Sequence, residues 1–189
     1  MNGIPLCVFC TQCRNLLHHK LIEYETYNYC IMELCFRLVE KRDCRLIYDW
    51  FTDPITRNNS YSNEIVAYER HEVWFDTRIT REQEPFLVFY IKDNPEQMLG
   101  MVRIDQNSEG PVIGINIAPE HRGKGYAVEM LQLALSYFYQ LHPDSPPVRA
   151  WIMKHNAASR QTFVTAGFAK QYDECKSGIP SSLYIHKNE

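Results

Sequence analysis

His121-Arg122-Gly123-Lys124-Gly125-Tyr126-Ala127 is the stretch on which the reading of this chain turns. An apolar run, Val112 to Ile117, leads into it, and Ala127, Met130, Leu131, Ala134, Leu135 and Phe138 recur at helical spacing beyond it. The segment therefore joins a strand to a helix. Glycines at 123 and 125 let backbone amides approach an anion closely, and the helix N-terminus adds its partial positive charge. Such a turn is a cradle for a phosphate or pyrophosphate; the plainer alternative is an ordinary glycine-containing loop. It is not a magnesium-nucleotide loop, because Gly125 stands after Gly123-Lys124 where that loop needs a hydroxyl. No G-x-G-x-x-G follows the first strand either.

Downstream, Trp151-Ile152-Met153-Lys154-His155-Asn156-Ala157-Ala158-Ser159 runs from a strand pattern into a helical one. Asn156 suits the N-cap, Ser159 falls one turn later on the same side, and Phe163 and Val164 are expected to pack inward. Gly167 is expected to stop the helix. Taken alone, Asn156 and Ser159 are equally well a cap and a solvated hydroxyl. In this order and at this separation, however, Arg122-x-x-Gly125-x-Ala127 and the Asn156 segment resemble the last two motifs of the GNAT superfamily of N-acetyltransferases.

That resemblance implies a single α/β domain, a mixed central sheet flanked by helices, over residues 33 to 187, with residues 1 to 32 as an N-terminal extension. It implies acetyl-CoA as co-substrate and no metal. The strand before the cradle would splay from the strand leading to Asn156, and the backbone of Asn116 and Ile117 would pair with pantetheine in the gap. Arg122, Gly123, Lys124, Gly125, Tyr126 and Ala127 would hold the pyrophosphate, and Asn156 and Ser159 would face the pantetheine arm.

The remaining elements fit one α/β domain. Leu34 to Glu40 contains a first strand; Asp43 is placed to cap a helix carrying Leu46, Ile47, Trp50 and Phe51, stopped at Asp53-Pro54. A polar loop, Arg57 to Asn63, follows. Tyr68 to Arg78 reads as a helix burying Trp74 and Phe75. Pro85 to Lys92 and Leu99 to Asp105 read as strands, the first apolar on both faces. Val148 to Met153 and Leu183 to His186 complete the sheet.

The segments Asp43 to Ser60, His71-x-x-Trp74-Phe75 and Leu99 to Asp105 look like the GNAT branch that acetylates the 4-amino group of UDP-linked dideoxy-amino sugars in pseudaminic and related nonulosonic acid biosynthesis. On that resemblance Arg57 offers a fork for a diphosphate, Asn59, Ser60 and Asn63 read hydroxyls, and Trp74 and Arg103 join the substrate wall. Against this, Trp74 suits any core, and Arg57 any structural ion pair. The chain departs from common superfamily practice twice. Phe163 stands where many relatives place a tyrosine acid, and Val112 where many place a glutamate base. His71 is the candidate base, since its ordinary pKa lies near neutrality, although a packed histidine is the competing reading. Asn116 could order a relaying water, and Glu109 could act if its loop folds inward. An enzyme acetylating protein N-termini, as the ribosomal-protein acetyltransferases do, or small amines, and a domain that binds acyl-CoA without chemistry are the alternative readings.

Composition bounds these readings. The 189 residues are 45% hydrophobic and 23% charged, with net charge −3 and no basic block, which leaves a nucleic-acid surface without an electrostatic footprint. No apolar run reaches membrane-span length and the N-terminus lacks a signal-peptide pattern, so the cytoplasm is the expected location. The expected partner is a small-molecule amine, for a monomer or homodimer, with neither membrane nor nucleic acid. Seven cysteines, odd in number and crowded at the front, argue against disulfides. Cys7-x-x-Cys10-x-x-Cys13 with His18 and His19 has zinc-like spacing but lacks the two separated pairs of a ribbon, and no chemistry is assigned to it.

Overall fold

In chain order the elements are β1 (Leu34–Leu38), α1 (Cys44–Thr52), α2 (Pro54–Asn58), α3 (Tyr68–Ile79), β2 (Phe86–Ile91), β3 (Asn94–Asn107), β4 (Gly110–Ile117), α4 (Tyr126–Leu141), β5 (Val148–Met153), α5 (Ala157–Thr165), β6 (Ala169–Lys176) and β7 (Ile179–His186). The computed structural model describes residues 34–62 and 64–188. Asn63 and the Cys7, Cys10, Cys13, His18 and His19 cluster lie outside the described residues. The strands form one seven-stranded sheet in the order β1-β2-β3-β4-β5-β7-β6. Every pairing is antiparallel except that of β4 with β5, so the sheet is mixed.

Each face of the sheet is covered by a different set of helices. Leu87, Phe89, Val102, Ile104 and Ile113 pack under Met130, Leu131, Ala134, Leu135 and Phe138 of α4, the apolar stripe read from the sequence. On the opposite face, Val88 and Met101 meet Ile47 and Trp50 of α1 and Phe75 of α3. β2 thus feeds both cores, as its unbroken apolar run predicts, and each large side chain fully buried there contributes about 1.5–3 kcal/mol.

Local sequence explains most element ends. Asp53 accepts from the Thr56 amide at 3.0 Å and Pro54 occupies the first helical position, so the Asp-Pro pair that ends α1 also starts α2, a helix not expected within the polar loop. Asp43 stands at the head of α1 without capping it. Its carboxylate instead accepts a fork from Arg37 at 2.7 and 2.8 Å and the Glu40 amide at 2.8 Å. At the end of α5, Gly167 adopts φ +99°, the Phe168 amide donates to the Phe163 carbonyl and the Gly167 amide to that of Val164, both at 3.0 Å. This is a complete Schellman stop, sealed by Phe163 against Phe168 with ring centroids 5.0 Å apart. Val164, expected to pack inward, is 51% exposed, because the stripe that faces the sheet passes through Phe163 and Ala166. β6 was also unexpected. It is an edge strand exposed along nearly its whole length and has no alternation to betray it.

The feature that positions a site is the β4–β5 junction. These parallel neighbours pair only at Val112 with Arg149, whereas β5 pairs with β7 along all six of its residues. Beyond Val112 the two strands part, and the gap opens toward the cradle.

Candidate active site

A cleft of about 590 Å³ fills the gap between β4 and β5. Its floor and walls include Gly114, Asn116 and Ile117 from β4, Trp151 and Met153 from β5, and Asn156, Ser159 and Phe163 from the start of α5. Gly123 and Ala127 of the cradle lie at the mouth. Gly123 and Gly125 have φ of +74° and +88°, the left-handed region that glycine adopts freely. Gly125 is the N-cap of α4, and no side chain caps that helix. The first-turn amides of α4 are therefore left for an anion, which is the arrangement a pyrophosphate needs.

Arg122 does something the motif alone does not reveal. Its Nη2 lies 2.6 Å from Asp53 Oδ1 and donates to Thr56 Oγ1 at 3.0 Å, while Nε donates to the Ile117 carbonyl at 3.3 Å. The guanidinium braces the cradle to α2. The Asp53 carboxyl is held below its ordinary pKa: burial opposes the shift, and the bonds from Arg122 and the Thr56 amide outweigh it. Lys124 is exposed at the tip of the turn, its Nζ 3.5 Å from His121 Nδ1. Tyr126 is half-buried and packs edge-on to His121.

Asn116 is 8% exposed and tied on both sides. Its Nδ2 donates to the Trp50 carbonyl at 3.1 Å and its Oδ1 accepts from Thr56 Oγ1 at 3.2 Å, so it fastens the splayed strand to the end of α1. One N–H and one lone pair of the amide remain for a water or ligand. Asn156 caps α5, its Oδ1 accepting from the Ser159 amide at 3.0 Å.

The expected substrate residues divide. Asn59, Ser60 and Arg103 line the cleft; Asn59 Nδ2 donates to the Ile55 carbonyl and Ser60 Oγ to that of Thr56. Among the described residues, Arg57, Trp74 and His71 are not part of its wall. Arg57 Nη1 donates to the Phe51 carbonyl at 3.4 Å. Trp74 supports the site from behind, with the Arg103 guanidinium over its ring at 5.7 Å. His71, the candidate base, is 5% exposed and sits among the rings of Tyr48, Phe51, Tyr68, Trp74 and Phe75. Burial lowers its pKa, against a hydrogen bond to the Cys44 backbone, and its Nε2 is buried without a partner. That is a packed histidine. Glu109 does not fold inward: its carboxylate lies 2.5 Å from Arg149 Nη1, and that bond lowers its pKa.

Two wall residues escaped the sequence reading. Lys176, from the end of β6, places Nζ 4.6 Å from the Trp151 ring centroid and 5.5 Å from that of Tyr61. Burial lowers its pKa, with the neighbouring Arg149 charge acting in the same direction. Tyr61 lines the cleft from the loop after α2, and its hydroxyl donates to Ser181 Oγ at 2.9 Å. Burial raises its pKa, opposed by that bond. Of the charged residues in the described wall, Arg103, Arg122 and Lys176 are cations and Asp105 alone is an anion. Asp105 Oδ1 accepts from Arg78 Nε at 2.9 Å, and its Oδ2 lies 3.4 Å from Arg103 Nε.

A strand pair that opens beside an uncapped helix N-terminus, with glycines at the turn, is suited to an extended molecule that carries a phosphate or pyrophosphate. Sequence comparison gives the class its family: residues 33–169 match the acetyltransferase (GNAT) domain, and the chain belongs to that family. It is an acyl-CoA-dependent N-acetyltransferase. It is 23% identical over 142 residues to the uncharacterized N-acetyltransferase YfmK of Bacillus subtilis (strain 168), covering 74% of this chain and 87% of that protein. Its fold is similar to that of spermidine N-acetyltransferase from Vibrio cholerae in complex with CoA and spermine, with TM-score 0.70, 18% identity, and 80% and 94% of the two chains covered. It is also similar to AAC(6')-Ib in complex with ribostamycin and coenzyme A, with TM-score 0.68, 12% identity, and 81% and 92% covered. No described helix is long and apolar enough to cross a membrane.

Proposed function

We propose that the chain transfers the acetyl group of acetyl-CoA to the amine of an acceptor that itself carries negative charge, a UDP-linked 4-amino sugar, by direct attack within a ternary complex. The observation that carries this reading is the charge of the cleft wall. Lys176 and Arg103 face the acceptor side, and the one carboxylate there, Asp105, is already shared between Arg78 and Arg103. A polyamine or an aminoglycoside, the acceptors of the structural neighbours, would bring like charge to this wall; a nucleoside diphosphate brings its complement. Arg103 lies across Gly114 in the β3–β4 pair, its side chain covering that glycine, which sets its charge on the cleft floor.

In this scheme the amides at the head of α4 hold the pyrophosphate and the parted edge of β4 holds pantetheine. Asn116, fixed by Trp50 and Thr56, orders a water that takes the ammonium proton. Backbone amides of β4 steady the developing oxyanion. The test is acetyl-CoA-dependent thiol release with a UDP-4-amino-4,6-dideoxy sugar, spermidine, an aminoglycoside and a peptide amine offered separately. Turnover on the nucleotide sugar above the others supports the proposal; turnover confined to the polycations or to the peptide contradicts it.

A further inference from the structure

The departing thiolate needs a proton, and Phe163 of α5, 4% exposed and packed on Phe168, has none to give. We infer that Tyr61, reaching in from the loop after α2, is the proton donor to that sulfur. The inference rests on the acetyl-transfer reading above and adds a catalytic group to it.

Strand register supplies the first argument. Continuing from the Val112–Arg149 pair, two residues at a time, sets Gly114 level with Trp151 and Asn116 level with Met153. Met153 is the cross-strand partner of Ser181, and Ser181 Oγ receives the Tyr61 hydroxyl. The phenol therefore lies at the depth of Asn116, where β4 and β5 have parted.

Chemistry supplies the second. The described wall also offers the hydroxyls of Thr56, Ser60, Ser159 and Thr162, which do not ionise in this range. A phenol ordinarily titrates near 10 and an ammonium near 10.4, against about 8.5 for a thiol, so Tyr61 and Lys176 are the two groups matched to the task. Lys176 holds its Nζ against the faces of Tyr61 and Trp151. That cation favours negative charge on both phenolate and thiolate, the two states between which the proton moves. Ser181 Oγ donates onward to the Ile179 carbonyl at 3.0 Å, which leaves its lone pairs to hold the phenol between turnovers.

The step balances. The amine nitrogen bonds to the thioester carbonyl carbon, the C–S bond breaks with its electron pair on sulfur, and the phenol proton passes to sulfur to give free thiol. The proton shed by the acceptor ammonium returns to the phenolate through solvent.

Tyr61→Phe tests this, because it keeps the ring beneath Lys176 and removes the proton alone. Thiol release is measured with excess enzyme in single-turnover mode, both with an acceptor and with water as the only nucleophile. The water reaction makes the result independent of which amine is natural. A fall in rate of about 10²-fold in both reactions, with affinity for acetyl-CoA and melting temperature unchanged, is expected. An unchanged rate overturns the inference, and so does a weaker acetyl-CoA affinity with the same rate, which would make the hydroxyl a binding group. A Lys176→Met rate loss that Tyr61→Phe fails to reproduce would assign the proton to the ammonium instead. If Tyr61→Phe melts early, both proteins are compared at a temperature at which each is fully folded, and the inference requires the same fall in rate there. Failure of the parent chain to bind acetyl-CoA would contradict the proposed function and not this assignment.

Discussion

Gly100 is where fold and site meet, and replacing it with alanine gives a quantitative test. It pairs with Ile117 across β3 and β4, and an added Cβ would lie 2.4 Å from the Asn116 carbonyl oxygen, 3.0 Å from Ile117 Cα and 3.1 Å from Met130 Cε. A Cβ contact below 3.0 Å is essentially never tolerated, so the Asn116–Ile117 peptide must retreat by at least 0.6 Å. Overpacking of this kind costs about 1–3 kcal/mol. In a domain of this size each kcal/mol moves the melting temperature by about 2–4 °C, so a fall of about 2–12 °C is expected. The peptide that moves is the one proposed to pair with pantetheine. CoA affinity, measured by titration calorimetry, should weaken by about tenfold, equivalent to 1.4 kcal/mol. Gly114→Ala is the control, because its Cβ makes only ordinary contacts with Arg103 at 3.7 and 3.8 Å. A Gly100→Ala protein with the parent's melting temperature and CoA affinity would refute the reasoning.

Asp43→Ala, which strands Arg37 without its fork partner, should destabilise the chain by about 2–4 kcal/mol in denaturant melts. Burial raises the Asp43 pKa, but the Arg37 and Glu40 bonds outweigh it and leave it lowered. Its contribution is therefore complete above the ordinary value of 3.8 and disappears as pH falls through the folded value, and a parent chain whose stability stays flat through that acid range would contradict this. His71 is depressed by burial, so the unfolded chain takes up its proton first and stability declines as pH drops below about 6.5. His71→Phe should remove that part of the slope and leave turnover within a few-fold; a loss of about 10²-fold would restore His71 as the base. Lys176→Glu should raise KM for an anionic acceptor by at least about tenfold and leave CoA affinity unchanged, and the reverse pattern would move Lys176 to the cofactor side.

Sequence made one half of this site legible and concealed the other. The cradle glycines, the Asn156 cap and the Gly167 stop are local devices: each works within one turn of chain, so spacing reveals it. The stripe on α4 and the doubly buried β2 are equally local. His71, Trp74 and Arg57 sit in segments whose helical character was read correctly in part, yet which side of α1–α3 faces the cleft depends on how those helices lie on the sheet, and periodicity does not encode that. Lys176 and Tyr61 were invisible for a topological reason. They stand 115 positions apart and meet only because β5, β7 and β6 pair in that order, on an edge strand without apolar alternation. Trp151 and Lys176 are both only partly exposed, and nothing short of the strand register brings them together.

The most direct test compares one amine in two settings: kcat/KM for acetyl transfer to a 4-amino-4,6-dideoxy sugar linked to UDP, and to the same sugar without the nucleotide. A cationic wall at Lys176 and Arg103 predicts that the nucleotide-linked acceptor is preferred by at least about tenfold, and that the preference shrinks as salt rises. Equal efficiency on the two sugars, or faster turnover of spermidine than of either, would contradict the account.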